Sequence, residues 1–415
     1  MLQFLKKHRL TFFASLALLF IGIQPARTLD DSQYWMKVRA TDKFERSVIA
    51  SLGVSIEVTR PDYVIAIGNY QELKRIEETG WLETSFPLTE ENDFPAEDSV
   101  YHNYNEMLST LQSLQQQNPE IMELRSIAKT HEKRDILAVR ISGDLKNGSQ
   151  WPAIIYMGGH HAREHLSVEL PIMWIQYLIN EYRAGNQKII SLINHREIHI
   201  IPAVNPDGME YDISTGRYKM WRKNRARNAD GTYGVDLNRN YGYQWGTGGS
   251  SRDPNSDVYM GPQAFSEPET KAIRDYVESH NNITTLLSLH TYSELILYPW
   301  GHKYDGIEVA RDKSVHETMA KKMAQWNGYT PQQSSELYIA SGDTTDWSYG
   351  AHRIISFTFE LDPANQWGGG GFYPGADVIK PVFDKNLQPM IYLLEFADNP
   401  YRSLEADNPF KPMPL

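Results

Sequence analysis

A histidine and a glutamate three residues apart follow an apolar run in the first half of the chain. The run Trp151–Met157 is typical of a buried strand, and after Gly158 and Gly159 come His161 and Glu164. Residues three apart at the start of a helix project from one face, so these two side chains could share a metal ion. The pair alone is a weak signal, because a chain with 13 histidines and 52 acidic residues contains about one or two such pairs by chance. The alternative is that both are polar residues at a helix start.

A further histidine, His290, ends another strand-like run and supports the metal prediction. Two histidines and one glutamate leave a fourth coordination position open for water, as in catalytic rather than structural zinc sites. His160 and His165 compete for the role of the first histidine. Adjacent residues on one backbone point in different directions, so at most one of His160 and His161 can bind the ion. Asp236 could accept a hydrogen bond from the far nitrogen of a bound histidine.

A carboxylate, Glu360, follows the very apolar run Ile354–Phe359. An acidic side chain so close to buried surface needs either a partner or a function. Beside a metal ion it could act as a general base, because the metal lowers the pKa of water and a carboxylate can complete the deprotonation. The alternative is an ordinary paired charge at the end of a strand.

The framework for these residues is a block from about 93 to 400 in which apolar strands alternate with amphipathic helices. This alternation predicts an α/β fold with a mixed, mostly parallel sheet and helices on both faces. In such folds functional residues lie just beyond the carboxyl ends of strands. The strand-like runs are Trp151–Met157, Ile198–Val204, Leu286–Leu289 and Ile354–Phe359, and clear helical patterns are Val168–Tyr182 and Glu267–Ser279.

The N-terminal part of the sequence predicts segments that are removed by proteolysis. Basic residues at positions 6–9 precede an apolar run at 10–23, which is short for a membrane span and has the order of a secretory signal. An uncleaved membrane anchor is the alternative. Residues 34–80 then predict a β-α-β-β-α order, which is a small α+β sandwich. The predicted boundaries are a signal peptide at 1–28, a pro-segment with its linker at 29–92, the large domain at 93–400 and a loosely held tail at 401–415.

This layout of signal, small domain, acidic linker and large domain is that of a zymogen, although a permanent accessory domain is an alternative.

The composition of the chain excludes several kinds of partner and site. A net charge of −11 argues against nucleic acid as a partner, because phosphate binding needs a basic surface. The chain has no cysteine, which excludes disulfides, thiolate zinc sites and cysteine nucleophiles. A metal ion must therefore be held by His, Asp or Glu.

Six motifs in order resemble those of the zinc carboxypeptidase family of the A/B type, and the likeness is close to its bacterial carboxypeptidase T branch. The resemblance extends over about residues 93 to 398. The motifs are His161-Ala162-Arg163-Glu164, Asn205-Pro206-Asp207-Gly208, Trp221-Arg222-Lys223-Asn224-Arg225, Asp236-Leu237-Asn238-Arg239-Asn240, His290-Thr291-Tyr292-Ser293 and Ser356-Phe357-Thr358-Phe359-Glu360.

The resemblance implies that His161, Glu164 and His290 bind one zinc ion per chain. Glu360 is similar to the catalytic carboxylate that takes a proton from the zinc-bound water. Arg225 resembles the cation that polarises the scissile carbonyl and stabilises the oxyanion. The other basic residues of that segment are expected in a solvated loop: Arg222, Lys223 and Arg227.

The resemblance also implies how the substrate is held. Asn238, Arg239 and Tyr338 are similar to the residues that bind the terminal carboxylate, and Arg163 resembles an auxiliary anion contact. A guanidinium fork suits a carboxylate, and an internal peptide bond offers no such group, which explains an exopeptidase. Tyr338 begins a loop, up to Asp346, that could close over the substrate.

Two further expectations concern specificity and calcium. Thr345 aligns with the base of the family's specificity pocket, and an acid, Asp343, lies two positions earlier. We therefore expect broad specificity, for aliphatic and aromatic C-terminal residues and also for Arg and Lys. The acidic loops at 228–231 and 251–257 could bind calcium, although plain turns are the alternative.

The resulting hypothesis is a secreted or periplasmic zinc carboxypeptidase that acts on peptide or protein C-termini as a monomer. It predicts no nucleic-acid partner and no membrane association after signal removal. A cell-wall peptidase is disfavoured, because Arg239 and Tyr338 fit an ordinary α-carboxylate. A catalytically inactive binding protein on the same fold is disfavoured by the intact metal and base residues.

Overall fold

The computed structural model describes residues 33–87, 93–146, 150–364 and 371–405. The predicted signal peptide at 1–28 lies outside the described residues. The chain divides into two compact units, residues 1–88 and 89–415. Among the described residues, we find no helix that combines the length and the apolar character needed to cross a membrane.

In its described part, residues 33–87, the first unit is a four-stranded antiparallel sheet with two helices. Its elements are β1 (Gln33–Arg39), α1 (Lys43–Ser51), β2 (Ser55–Thr59), β3 (Tyr63–Asn69), α2 (Tyr70–Glu78) and β4 (Leu82–Pro87). The strand order is β2-β3-β1-β4. Both helices contribute to a core on one face, which includes Met36, Ile49 and Ile76. The opposite face carries Trp35, which stacks on Phe86 with ring centroids 4.9 Å apart.

The second unit is built on an eight-stranded mixed sheet. Its strands are β5 (Met122–Lys129), β6 (Asp135–Ile141), β7 (Ala153–Met157), β8 (Glu197–Ile201), β9 (Ile283–Thr291), β10 (Leu295–Tyr298), β11 (Thr330–Gln333) and β12 (Ile355–Leu361). The order is β11-β10-β12-β9-β7-β8-β6-β5. The four central strands, β12, β9, β7 and β8, are parallel to one another. Because these strands are buried on both faces, they are rich in apolar residues, and β7 consists of such residues and one tyrosine.

Helices cover both faces of this sheet. They are α3 (Tyr104–Gln117), α4 (Leu166–Arg183), α5 (Gln187–His195), α6 (Pro206–Ile213), α7 (Pro268–Glu278), α8 (Ala310–Asn327), α9 (Thr344–His352) and α10 (Ile379–Phe396). Successive residues of a strand point to opposite faces. Accordingly, Ile154 belongs to the core shared with α4, α8 and α10, whereas Ile155 belongs to the core shared with α7 and α9. The predicted α/β fold with a mixed sheet and helices on both faces is confirmed.

The three adjacent strands β7, β9 and β12 end at the same edge of the sheet. The chain enters the His161 loop directly after β7, and His290 lies one residue before the end of β9. Glu360 lies one residue before the end of β12 and is paired in register with His290. Residues paired across neighbouring strands point to the same face, so the sheet itself places these two side chains together.

Described residues lie next to two of the predicted boundaries. The large domain was predicted to begin at residue 93, and just after this boundary Phe94 and Asp98 are buried and Asp98 accepts a hydrogen bond from Tyr218 at 2.6 Å. The tail was expected to be loose from residue 401. Residues 400–404 form a 3-10 turn in which Tyr401 donates to Asp312 at 2.8 Å and Arg402 pairs with Asp398 at 2.6 Å. The rest of the predicted tail, from residue 406, lies outside the described residues.

Candidate active site

The loop after β7 brings His161 and Glu164 together. It begins at Gly158, where a Cβ atom would lie only 1.9 Å from the carbonyl oxygen of Ser167, so only glycine allows this approach of the two backbones. Gly159 follows with a φ of +65°, in the left-handed region that glycine adopts readily. The turn places Nδ1 of His161 2.8 Å from Oε1 of Glu164.

His290 completes a cluster of three possible metal ligands. Its Nδ1 lies 2.9 Å from Oε2 of Glu164 and 3.1 Å from Nδ1 of His161. The three side chains belong to residues that are only 1% to 5% exposed, and one ligand atom from each lies within 4.8 Å of the others. Two ring nitrogens facing each other can form a hydrogen bond only if one carries a proton, whereas one divalent ion can accept a lone pair from both. The donor set therefore fits a zinc ion.

Asp236 holds the far side of His161. Its Oδ1 lies 3.2 Å from Nε2 of His161, and its Oδ2 accepts hydrogen bonds from Nε and Nη2 of Arg222 at 3.0 and 2.8 Å. Burial disfavours the charge of Asp236, but Arg222 and His161 outweigh it and hold the pKa of this carboxyl well below its usual value. An ionised carboxylate on Nε2 keeps the hydrogen there and leaves Nδ1 free to bind a metal ion.

The competing histidines point elsewhere. Nε2 of His160 lies 2.9 Å from the hydroxyl of Tyr241, and Nε2 of His165 lies 2.8 Å from Asp212. Neither belongs to the three-residue cluster. His161 is thus the member of the adjacent pair that faces Glu164.

Glu360 lies beside this cluster without being one of its members. Burial, and next the charge of Glu164, raise the pKa of Glu360 well above its usual value, and the nearby guanidinium groups of Arg222 and Arg239 oppose this effect. Glu360 is therefore close enough to Glu164 and to the two arginines to sense their charges, and its backbone is paired with that of His290. A carboxylate in this position can exchange a proton with a group held between them.

A cleft of about 490 Å³ opens next to the cluster and is lined by arginines. The arginines are Arg163, Arg222 and Arg239. Tyr338 also lines the cleft and is 52% exposed. Nε and Nη1 of Arg239 donate to the carbonyl oxygens of Gly249 and Asn238 at 3.0 and 2.7 Å, which fixes the guanidinium. One carboxylate, Asp257, also lines the cleft and lies 3.6 Å from Arg163, so the three guanidinium groups leave the cleft with an excess of positive charge that suits an anionic group.

The structure does not bring Arg225, the predicted oxyanion contact, to this site. Its guanidinium carbon lies 3.6 Å from the ring centroid of Tyr211 and 4.5 Å from that of Tyr233. Instead Arg222, which was expected in a solvated loop, lies in the site, with Nη1 3.4 Å from Nδ1 of His161. A backbone hydrogen bond of 3.0 Å from Ala162 to the carbonyl oxygen of Arg222 joins the two segments at this residue, and Asp236 holds the guanidinium. No local sequence signal distinguishes the two arginines.

A comparison with known families agrees with this geometry. A model of the family "Zinc carboxypeptidase" matches residues 107–389, which is more than half of the chain. The chain belongs to this family. It is therefore a zinc-dependent carboxypeptidase, a hydrolase that acts on the C-termini of peptides.

Individual relatives show the same relationship. The carboxypeptidase is 36% identical to a zinc carboxypeptidase of Saccharothrix mutabilis subsp. capreolus, over 80% of this chain and 77% of that one. It is 30% identical to carboxypeptidase A2 of Rattus norvegicus, over 85% and 83% of the two chains. The structure of bovine thrombin-activatable fibrinolysis inhibitor in complex with tick carboxypeptidase inhibitor superposes with a TM-score of 0.64. The identity is 27%, and the match covers 72% of this chain and 97% of that one.

The two residues expected to determine the specificity of this carboxypeptidase lie at the start of α9. Oγ1 of Thr345 is 2.6 Å from Oγ1 of Thr358 on β12. Asp343 caps the helix, because its Oδ1 accepts hydrogen bonds from the backbone nitrogens of Thr345 and Asp346, both at 2.9 Å. Its Oδ2 is buried and has no hydrogen-bond partner. Burial and the charge of Asp346 raise the pKa of Asp343 to about 8.

The calcium prediction has no support in the described residues. Asp230 accepts from Thr232, and Asp253 accepts from Asn255, so both carboxylates close local turns. Within the described parts of the chain, the groups of three possible metal ligands do not include the loops at 228–231 and 251–257.

A second cluster combines the exposed His131 with two buried carboxyl groups, Glu267 and Glu269. Nε2 of His131 lies 2.9 Å from Oε2 of Glu267, and the side-chain amide of Asn224 donates to both glutamates, at 2.8 and 3.1 Å. Oε1 of Glu269 is buried without a hydrogen-bond partner. Burial, and in addition the charge of Glu267, raise the pKa of Glu269 to about 7. This carboxyl group therefore keeps its proton in the folded protein at pH values where the unfolded chain loses it.

Compared with the parent, the variant Glu269→Gln should lose less stability as the pH rises. The ordinary pKa of a glutamate is 4.5, so the stabilisation from the raised value is complete below about pH 4.5 and is lost as the pH rises through 7. Glutamine does not ionise, so the variant does not lose this stabilisation. From pH 5 to pH 8, the free energy of unfolding of the variant minus that of the parent should rise by about 1 to 3 kcal/mol. Urea unfolding at both pH values measures it.

The matched control for this prediction is Asp275→Asn, on the same helix but exposed and paired with Arg274, which stays charged at both pH values. Its difference from the parent should be the same at pH 5 and pH 8. If Glu269→Gln also shows no change between the two pH values, Glu269 does not hold a proton in the folded protein.

Proposed function

We propose that this carboxypeptidase hydrolyses the last peptide bond of peptides with His161, Glu164 and His290 as zinc ligands and Glu360 as the general base. The observation that carries the proposal is the cluster of His161, Glu164 and His290, with Glu360 paired in register beside His290 at the same edge of the sheet, near a cleft lined by arginines.

The chemistry divides between the metal and the protein. When bound, zinc supplies positive charge that acidifies water and polarises a carbonyl group. Glu360 accepts a proton from the attacking water and then delivers it to the nitrogen of the leaving amino acid. Arg222 donates to the carbonyl oxygen as negative charge develops there, and its two hydrogen bonds to Asp236 orient it before the substrate arrives. We thus assign to Arg222 the role that the sequence had suggested for Arg225.

The substrate's terminal carboxylate is bound at the other end of the cleft. Arg239, fixed by two carbonyl oxygens, and the amide of Asn238 hold this carboxylate. Tyr338, which is half exposed beside Arg239, closes over the bound residue. Arg163 provides a further anion contact at the rim, where its guanidinium carbon lies 4.1 Å from the ring centroid of Phe372.

The test compares two substrates that differ only at the C-terminus. An N-blocked dipeptide that ends in leucine should be hydrolysed as the free acid. Its C-terminal amide should react at least about a hundredfold more slowly, because the buried arginine is then left without its anion. Metal analysis of the same preparation should give one zinc per chain. Equal rates on the two substrates would refute carboxylate-directed hydrolysis.

We propose broad specificity, with Asp343 accepting C-terminal arginine and lysine. Asp343→Asn retains a side-chain oxygen that can cap α9 but removes the negative charge. We expect kcat/KM to fall about tenfold for a substrate ending in arginine and to change less than twofold for one ending in leucine. In the parent enzyme, the arginine-to-leucine ratio should rise as the pH passes through about 8, where Asp343 ionises. An equal fall on both substrates would contradict this role.

We also propose that the protein is secreted as a zymogen, with the first unit as an inhibitory pro-segment. The support is the basic start and apolar run at positions 6–23, and a first unit that forms its own small sandwich and core. Purified full-length protein should gain activity when limited proteolysis removes the residues before about position 93. N-terminal sequencing of the active form decides the question, since an active species that begins near Asp30 would contradict it.

A further inference from the structure

The amide of Asn238 is held in one orientation by Thr344. Oδ1 of Asn238 lies 3.0 Å from the backbone nitrogen of Thr344 and 3.0 Å from its Oγ1. A backbone N–H can only donate, so the side-chain atom that faces it must be the oxygen. The NH₂ group of Asn238 is thereby directed away from Thr344.

The hydroxyl of Thr344 is itself oriented by a contact with His160. Nε2 of His160 lies 3.0 Å from this hydroxyl and 2.9 Å from that of Tyr241, whereas Nδ1 of His160 is buried without a partner. A hydrogen on Nε2 leaves only an acceptor unpaired at Nδ1, which costs less than an unpaired donor. With Nε2–H donating towards the two oxygens, the hydroxyl of Thr344 can give its single hydrogen to Asn238.

Both ends of this contact are rigid. Thr344 is buried, is the first residue of α9, and follows the helix cap Asp343. The backbone nitrogen of Asn238 donates to Oδ1 of Asp236 at 3.0 Å, and that same oxygen lies 3.2 Å from His161. The orientation of the amide is therefore set relative to the proposed metal centre as well.

We propose that Thr344 is a positioning residue that keeps the NH₂ group of Asn238 turned towards the terminal carboxylate of the substrate. The proposal rests on the proposed function, in which Asn238 binds that carboxylate. A reversed amide would present its oxygen to the carboxylate and repel it. Thr344 does not contact the substrate itself in this scheme; it acts only through Asn238.

The experiment compares Thr344→Val, which has the same shape without the hydroxyl, with Thr344→Ser, which keeps the hydroxyl. With a blocked dipeptide ending in leucine, KM should rise about tenfold in Thr344→Val with kcat within about threefold of the parent. Thr344→Ser should stay within about twofold of the parent in both constants. The inhibition constant of 3-phenylpropanoate, a carboxylate without a peptide bond, should rise by the same factor as KM.

The outcomes separate the two proposals. A parent enzyme that does not prefer the free acid over the amide refutes the proposed function. If the parent does prefer it, equal constants for Thr344→Val and Thr344→Ser refute the positioning role, as does a fall in kcat with unchanged KM. Should Thr344→Val fail to fold, Thr344→Ala takes its place with the same expected split between KM and kcat.

Discussion

Glu360→Gln is expected to lower kcat/KM by about 10³- to 10⁴-fold while the zinc content stays at the level of the parent. Glutamine has the same shape but cannot accept the proton of the attacking water. Glu360 stands on β12, next to His290 on β9, and is outside the group of three possible ligands. The metal should therefore remain bound. Steady-state hydrolysis of a blocked dipeptide and metal analysis of the same sample measure the two effects.

The matched control for Glu360→Gln is Glu317→Gln, a change of the same size on α8 outside the site. It should leave kcat/KM within about twofold of the parent. Activity of Glu360→Gln within a few-fold of the parent would overturn its assignment as the base. A parallel loss of zinc would instead make Glu360 a ligand.

Arg222→Ala should lower kcat/KM by about 10²- to 10³-fold, the usual effect of removing one donor to a developing oxyanion. Arg222 lines the cleft, lies 3.4 Å from His161 and is oriented by Asp236. Arg222→Lys should recover only part of the loss, because lysine cannot form the paired contacts of a guanidinium. Zinc content must be measured in parallel, since Asp236 also contacts His161.

Arg225→Ala is the discriminating comparison, because the two arginines belong to the same motif. Its guanidinium packs on Tyr211 and Tyr233. We therefore expect kcat/KM within a few-fold of the parent and a loss of about 1 kcal/mol in the free energy of unfolding. If Arg225→Ala showed the larger loss of activity, the role would return to Arg225.

The metal cluster illustrates what a single sequence can predict. His161 and Glu164 are three residues apart after an apolar strand, and His290 and Glu360 end apolar strands of their own. In a parallel sheet the carboxyl ends of the strands lie at one edge, so such residues come together when their strands are neighbours, as β12, β9 and β7 are. In this protein, His290 on β9 and Glu360 on β12 are paired in register on neighbouring parallel strands.

The choice between Arg222 and Arg225 illustrates the opposite case. Both belong to an irregular segment, in which no helical or strand period determines where a side chain points. In the structure, Ala162 donates a backbone hydrogen bond to Arg222, whose side chain lies beside His161. The guanidinium of Arg225 instead packs on the ring of Tyr211. The contact between Thr344 and Asn238 is likewise invisible in the sequence, since it joins residues 106 positions apart through a single side-chain oxygen.

The sequence by itself therefore indicated the fold class through its periodicity, and it indicated the candidate metal ligands through ordered motifs that resemble those of the family. Only the tertiary structure decided which arginine enters the site, which histidine of the adjacent pair faces the cluster, and how the amide of Asn238 is turned. These depend on contacts between distant loops, where the orientation of a side chain is set by the partners it meets and not by its neighbours in the chain.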